Sequence, residues 1–129
     1  MIEFRIHGEP VAKGRPRFAR RGEFVATYTP KKTRDAERNF LAQAIQFKPD
    51  TPLQGALEVT LVFSRLKPKS KPKKVIYCTT KPDLDNSIKI LDSLNGVFWR
   101  DDAQIIKITA EKKYGEEAYT DVKIQEELL

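Results

Sequence analysis

The chain has one cysteine, Cys78, and one histidine, His7. A single cysteine excludes an intrachain disulfide and a zinc site built from several thiolates, and a reducing cytoplasm is the expected compartment. A single histidine excludes a multi-histidine metal site and argues against Ser–His and Cys–His catalysis. No apolar run reaches the length of a membrane span, and residues 1–5 form no signal-peptide pattern, so we expect no membrane partner. Carboxylates and lysines remain as candidates for chemistry.

The composition is that of a folded protein with an excess of positive charge. Apolar residues make up 40% and charged residues 33% of the 129 positions, and we expect residues 1–129 to form a single domain. The 24 Lys plus Arg outnumber the 18 Asp plus Glu, which leaves a net charge of +6. That sign suits a polyanionic partner, although charge alone does not distinguish nucleic acid from a membrane surface.

Hydrophobic periodicity predicts both strands and helices. Alternation predicts a strand through Ile2 to Ile6, one through Leu57 to Phe63, and a terminal hairpin whose strands pass through Ile106 to Ala110 and Thr120 to Ile124. The segments "EFVATYT" and "VIYCTT" are also prone to form strands. One helix is predicted from Thr29–Pro30 to near Phe47, and a second through Ile88 and Leu91, closed by Asn95–Gly96. The order predicts a small α+β domain with a mixed sheet and two main helices.

Two basic segments are candidates for contact with a phosphate backbone. Proline and glycine in "GEPVAKGRPRFARRG" predict a loop, in which the alternating Lys13, Arg15 and Arg17 would point to one side and cradle successive phosphates. A loop that is only solvated is the alternative, and we favour DNA contact. The second segment, "KPKSKPKK", adds Lys71 and Lys73 to the candidates, but hydration alone explains it equally well.

The acidic residues are concentrated in "KPDLDNSIKILDSLNGVFWRDDAQI", from Lys81 to Ile105. An extended approach through Pro82 would point Asp83 and Asp85 to one side, with Asp85 at or near the start of the second helix. Lys89 follows one helical turn later. The chain then turns back, so Asp101 and Asp102 can approach the first pair.

Convergent carboxylates predict a site for Mg²⁺ or Mn²⁺, since hard oxygen ligands suit these ions. Such an ion activates water and stabilises a phosphodiester during displacement, and Lys89 would orient the water or offset developing charge. Either acidic pair alone is more often a helix cap or a turn. The combination with Lys89 in a basic chain favours the metal site. Asp92 is more readily explained by a surface salt bridge.

Phe98 and Trp99 follow the second helix. They could stack on an unpaired base, but anchoring in the core or at a dimer interface is the favoured interpretation.

The motifs "KPDLDN", the lysine four residues after its second Asp, "GVFWRDDAQI" and the N-terminal "GEPVAKGRPR" together resemble the RusA-type crossover junction endonucleases. These enzymes resolve Holliday junctions and are common in prophages. The resemblance covers about residues 4 to 112. It implies a mixed α/β fold and a homodimer, dependent on Mg²⁺ or Mn²⁺, that nicks two strands symmetrically for DNA recombination and repair.

The resemblance also implies roles for individual residues. Asp83, Asp85 and Asp102 match the metal-binding aspartates, and Lys89 matches the essential lysine. Asn86 completes the "DLDN" signature and is assigned to positioning the loop, and Asp101 is a neighbour in a supporting position. Because one chain holds one acidic cluster, two nicks also require two copies. A nuclease for flaps or forks, and a basic DNA-binding module without catalysis, are the alternatives.

Overall fold

The computed structural model describes residues 1–11, 17–22, 24–28 and 30–127, and the side chains of all of these except 17–19, 21 and 24–28. Within these ranges the strands are β1 (Ile2–His7), β2 (Arg17–Arg21), β3 (Phe24–Tyr28), β4 (Ala56–Leu66), β5 (Ile105–Gly115) and β6 (Tyr119–Glu127). The α-helices are α1 (Lys31–Ala44) and α2 (Leu84–Ile88). Short 3-10 helices follow at Ile45–Phe47, Lys89–Leu94 and Asp102–Gln104.

The main sheet is mixed and has the strand order β1-β6-β4-β5. Strand β6 is antiparallel to both β1 and β4, whereas β5 is parallel to β4. This confirms the predicted small α+β architecture with a mixed sheet. The predicted terminal hairpin is wrong, because β4 lies between β5 and β6. The apolar centre of β4 explains this order, since Val59 and Leu61 gain a buried neighbour from β6 on one side while β5 covers the other.

One face of the sheet carries the hydrophobic core. It packs against α1 and the 3-10 helix Lys89–Leu94, and the buried side chains include Phe4, Ile6, Phe40, Ala44, Leu57, Val59, Leu61, Phe63, Ile90, Leu91, Leu94, Val122 and Ile124. Phe98 and Trp99 are both 0% exposed within this cluster. Their interpretation as core anchors is therefore confirmed over stacking on a base.

Three local predictions are not matched by the structure. Residues 17–21, predicted as loop, form β2 and pair with β3; the tight turn between them is possible because Gly22 adopts a φ of 63°. Among the described residues, the β-prone "VIYCTT" contributes an isolated bridge, Tyr77 to Lys113, and no strand. Thr29, predicted to cap α1, lies outside the described residues, and Pro30 occupies the cap position.

The two edges of the main sheet differ. At β1, Gln43 of α1 binds the main chain of His7, with its Oε1 accepting from the His7 N–H at 2.9 Å and its Nε2 donating to the His7 carbonyl at 3.0 Å. At β5, the Tyr114 N–H donates to the Ile76 carbonyl at 2.7 Å. The first half of β5 has no strand partner on its outer side among the described residues, and Ile106 is exposed there. This half of β5 adjoins the acidic segment.

Candidate functional site

Asp83 stands at the junction between a loop and α2. Its backbone is extended (φ −66°, ψ 146°), and its carbonyl accepts hydrogen bonds from the N–H groups of Asn86 and Ser87 at 3.1 and 3.2 Å. Its carboxylate does not cap the helix. Instead, Lys81 Nζ donates to Asp83 Oδ1 at 2.9 Å. The Asp83 side chain is thus available at the surface rather than committed to the helix end.

The pKa of Asp83 lies below its ordinary value. The hydrogen bond from Lys81 contributes most to this, followed by the charge of Lys81, and the charge of Lys112 acts in the same direction. These effects outweigh desolvation, which raises the pKa. Asp83 therefore stays ionised to a lower pH than an isolated aspartate does.

Asp85 is exposed in the first turn of α2, so the prediction that it stands near the helix start is confirmed. Lys89 occupies the C-cap position of the same helix and begins the 3-10 helix that follows. Its Nζ donates to Asn86 Oδ1 at 3.2 Å, which fixes the ammonium group to the surface of α2. Asn86 therefore orients Lys89 as well as completing the turn after Asp83.

The two adjacent aspartates at residues 101 and 102 make different contacts. Asp101 Oδ1 accepts from the Ala103 N–H at 2.9 Å, and Gln104 Oε1 accepts from the Asp101 N–H at 2.8 Å. This reciprocal pair is a capping box for the 3-10 helix Asp102–Gln104. The alternative to a metal site, in which this pair forms a cap or a turn, therefore describes the contacts of Asp101.

Asp102 accepts a hydrogen bond from Trp99, for which the sequence predicted anchoring in the core or at a dimer interface. The indole N–H of Trp99 donates to Asp102 Oδ1 at 2.7 Å. The second oxygen of Asp102 makes no hydrogen bond with another described residue. A buried indole needs an acceptor for its N–H, so the spacing Trp-x-x-Asp was the signal that could have revealed this contact.

Lys89 and Asp102 lie on one groove of about 470 Å³ between the α2 region and the first half of β5. The other lining residues are Ile88, Leu91, Asp92, Ile105, Ile106, Lys107 and Ile108. Asp83 and Asp85 do not line this groove. The structure therefore brings together the predicted lysine and the third predicted aspartate, with the first pair on the preceding turn and loop.

The donor chemistry fits a hard divalent cation, because Asp83, Asp85 and Asp102 offer carboxylate oxygens and Asp85 is open to solvent. Within the described ranges, however, no three acidic, histidine or cysteine side chains are grouped closely enough to hold a metal ion together. The assignment of these aspartates as metal ligands therefore stays a prediction from sequence.

The predicted DNA-binding residues are described only in part. Lys13 and Arg15 lie outside the described residues, and Arg17 begins β2 with no side chain described. Lys71 and Lys73 belong to an irregular segment after β4, where Lys73 is exposed and Lys71 is partly so. This second segment is therefore irregular and lies at the surface, and its contact with DNA stays a prediction.

None of the helices in residues 30–127 combines the length and the apolar character needed to cross a membrane.

Comparison with known proteins places these residues in a family. The chain is 35% identical to Uncharacterized protein YqaN of Bacillus subtilis (strain 168), over 97% of this chain and 96% of that protein. Residues 7–125 match the model of the family described as Endodeoxyribonuclease RusA, a range that includes every acidic residue and the lysine discussed above. The chain therefore belongs to the RusA endodeoxyribonuclease family.

Proposed function

We propose that this protein is a metal-dependent endonuclease that resolves Holliday junctions by paired, symmetric cleavage of phosphodiester bonds in DNA recombination and repair. The match to the endodeoxyribonuclease family over residues 7–125 carries the proposal. The groove lined by both Lys89 and Asp102 supports it, because a lysine and a carboxylate then face one cavity at the surface of a basic protein.

Asp83, Asp85 and Asp102 would hold Mg²⁺ or Mn²⁺, and the bound ion supplies an activated water and positive charge for the phosphate oxygens. Other side chains of the protein position the proposed ligands and the lysine. Trp99 holds Asp102, and Asn86 holds the ammonium group of Lys89, which offsets negative charge as it develops on the phosphate. Asp101 supports the same turn through its capping box.

We further propose that the chain acts as a homodimer of single-domain subunits. A four-way junction has two-fold symmetry, and two nicks at equivalent positions require two copies of one site. Lys13, Arg15 and Arg17 would then bind the DNA arms, and Lys71 and Lys73 would contact the same DNA.

Cleavage of a labelled four-way junction beside a linear duplex of equal length, with Mg²⁺ or with EDTA, tests the proposal. We expect paired symmetric nicks in the junction only, with metal only, and none from Asp102→Asn. Cleavage of flaps and forks in preference to the junction would favour the branched-DNA alternative. Tight junction binding without cleavage under Mg²⁺ or Mn²⁺ would leave a DNA-binding module.

Changing Lys13, Arg15 and Arg17 together to alanine is expected to weaken junction binding and flatten its salt dependence. If each side chain neutralises one phosphate, the slope of log K against log salt falls by up to about 3. Binding isotherms between low and physiological salt measure it. The matched control changes Lys31, Lys48 and Lys123, which removes the same charge from other exposed positions. Equal slopes for the two variants would show that residues 13–17 make no special contact.

A further inference from the structure

Lys112 occupies a position on β5 where the sheet register calls for a core residue. It pairs with Phe63, which is 2% exposed, and its neighbours at alternate positions, Ala110 and Tyr114, lie on the same face. A lysine at such a position costs free energy unless its ammonium group reaches water or finds acceptors. The contacts of that ammonium group therefore explain why a lysine is tolerated there.

The ammonium group binds the loop that leads into the acidic segment. Lys112 Nζ donates to the Thr80 carbonyl at 2.9 Å and to the Pro82 carbonyl at 3.0 Å. The Tyr114 hydroxyl, two residues further along β5, lies 3.3 Å from Thr80 Oγ1. Two side chains of one strand thus hold the last residues before Asp83.

The contact with Pro82 reaches Asp83 through the peptide bond. The Pro82 carbonyl lies in one plane with the nitrogen and Cα of Asp83, so fixing that oxygen restricts the orientation of the Asp83 backbone. Asp83 in turn begins α2 through its own carbonyl, which accepts from Asn86 and Ser87. The position of Asp85 in the first turn therefore depends on the same anchor.

Strand β5 also follows directly on the 3-10 helix that carries Asp102. Strand β5 is therefore connected to both parts of the acidic segment. It continues the main chain from Asp102, and the side chain of Lys112 binds the loop that precedes Asp83. We propose that Lys112 is a positioning residue that sets the Asp83–Asp85 segment relative to Asp102 in the site. This inference rests on the proposed function, because it assigns a purpose to the placement of those carboxylates.

The test compares Lys112→Met, which keeps the length of the side chain but removes its donors, with Lys112→Arg, which keeps donors and charge. Lys113→Met is the matched control, since its side chain lies near the Tyr119 ring on the other face of β5. Mn²⁺ binding, followed by the electron paramagnetic resonance of free Mn²⁺, and amide hydrogen exchange at Asn86 and Ser87 are the readouts. Junction cleavage and thermal melting accompany them.

We expect Lys112→Met to weaken Mn²⁺ binding by about 10- to 100-fold, the range found for residues that orient a metal ligand. Exchange at Asn86 and Ser87 should become faster, and Lys112→Arg should recover most of both effects. Mn²⁺ binding and exchange equal to those of Lys113→Met would overturn the inference. If Lys112→Met does not fold, Lys112→Gln decides the matter by the same two readouts.

Failure of the proposed function would look different. A wild-type protein that neither binds Mn²⁺ nor cuts the junction contradicts the proposed function, yet faster exchange at Asn86 and Ser87 in Lys112→Met would still show that Lys112 holds the loop. Normal Mn²⁺ binding and cleavage in both the wild type and Lys112→Met contradict only the positioning role.

Discussion

Asp85→Asn should abolish cleavage of the junction while leaving its binding intact or tighter. The side chain is exposed in the first turn of α2, so its loss removes no buried contact, and the fold should persist. Asparagine keeps the shape but lacks the charge that a divalent ion needs. We expect the cleavage rate to fall by at least roughly 100-fold. Substituting a residue that only orients a metal ligand costs up to about 100-fold, and a ligand itself should matter more. Binding should not weaken, since one fewer negative charge faces the phosphates.

Single-turnover cleavage of a labelled junction, paired with its dissociation constant, measures both halves of this expectation. Asp35→Asn is the control, because it removes the same charge from an exposed position on α1. Loss of binding together with loss of cleavage would mean that Asp85 maintains the DNA surface instead of the chemistry. Undiminished cleavage would remove Asp85 from the site.

Trp99 is expected to show the largest effect on stability. It is fully buried among the core residues and also donates to Asp102. Trp99→Ala should lower the free energy of unfolding by about 3–5 kcal/mol, the cost of a large core cavity. For a domain of this size that is a large part of the total stability, and it should be visible as a strong shift in urea unfolding.

Trp99→Phe separates the two roles of this residue. Phenylalanine fills most of the same space, so the loss of stability should be smaller, but it cannot donate to Asp102. Cleavage should therefore fall although the fold is retained. Phe98→Leu is the matched control, because Phe98 is equally buried and has no polar contact to lose. A loss of cleavage in Phe98→Leu equal to that in Trp99→Phe would show that core packing, and not the hydrogen bond, supports the site.

The sequence predicted those elements whose signal is local. Alternation in β1 and β4, and the apolar spacing of α1, were sufficient because one buried face imposes its period on the chain. The place of β6 between β1 and β4 was not predictable in this way, since it depends on which distant strand buries Val122 and Ile124 best. The predicted hairpin requires that neighbours in sequence pair, whereas β4 lies between β5 and β6.

The candidate site was predictable as a set of residues but not as a set of contacts. Asp101 and Asp102 are adjacent and chemically identical in the sequence, and only their contacts, with Gln104 and Trp99 respectively, distinguish the cap from the proposed metal ligand. Lys112 gave no signal, because a lysine in an alternating strand suggests the surface. Its partners are main-chain carbonyls, which every residue possesses and no sequence pattern marks.

Gln104 has a further consequence. Besides completing the capping box with Asp101, its Nε2 donates to the carbonyls of Leu53 and Gly55 at 2.8 and 2.9 Å. The effects of substitutions at Asp101 and Gln104 should therefore be coupled, because these residues share hydrogen bonds. Asp102 is coupled in the same way to Trp99. Across related proteins, substitutions at position 101 should covary with substitutions at position 104 and not with those at position 102. Two adjacent residues should thus vary independently of each other.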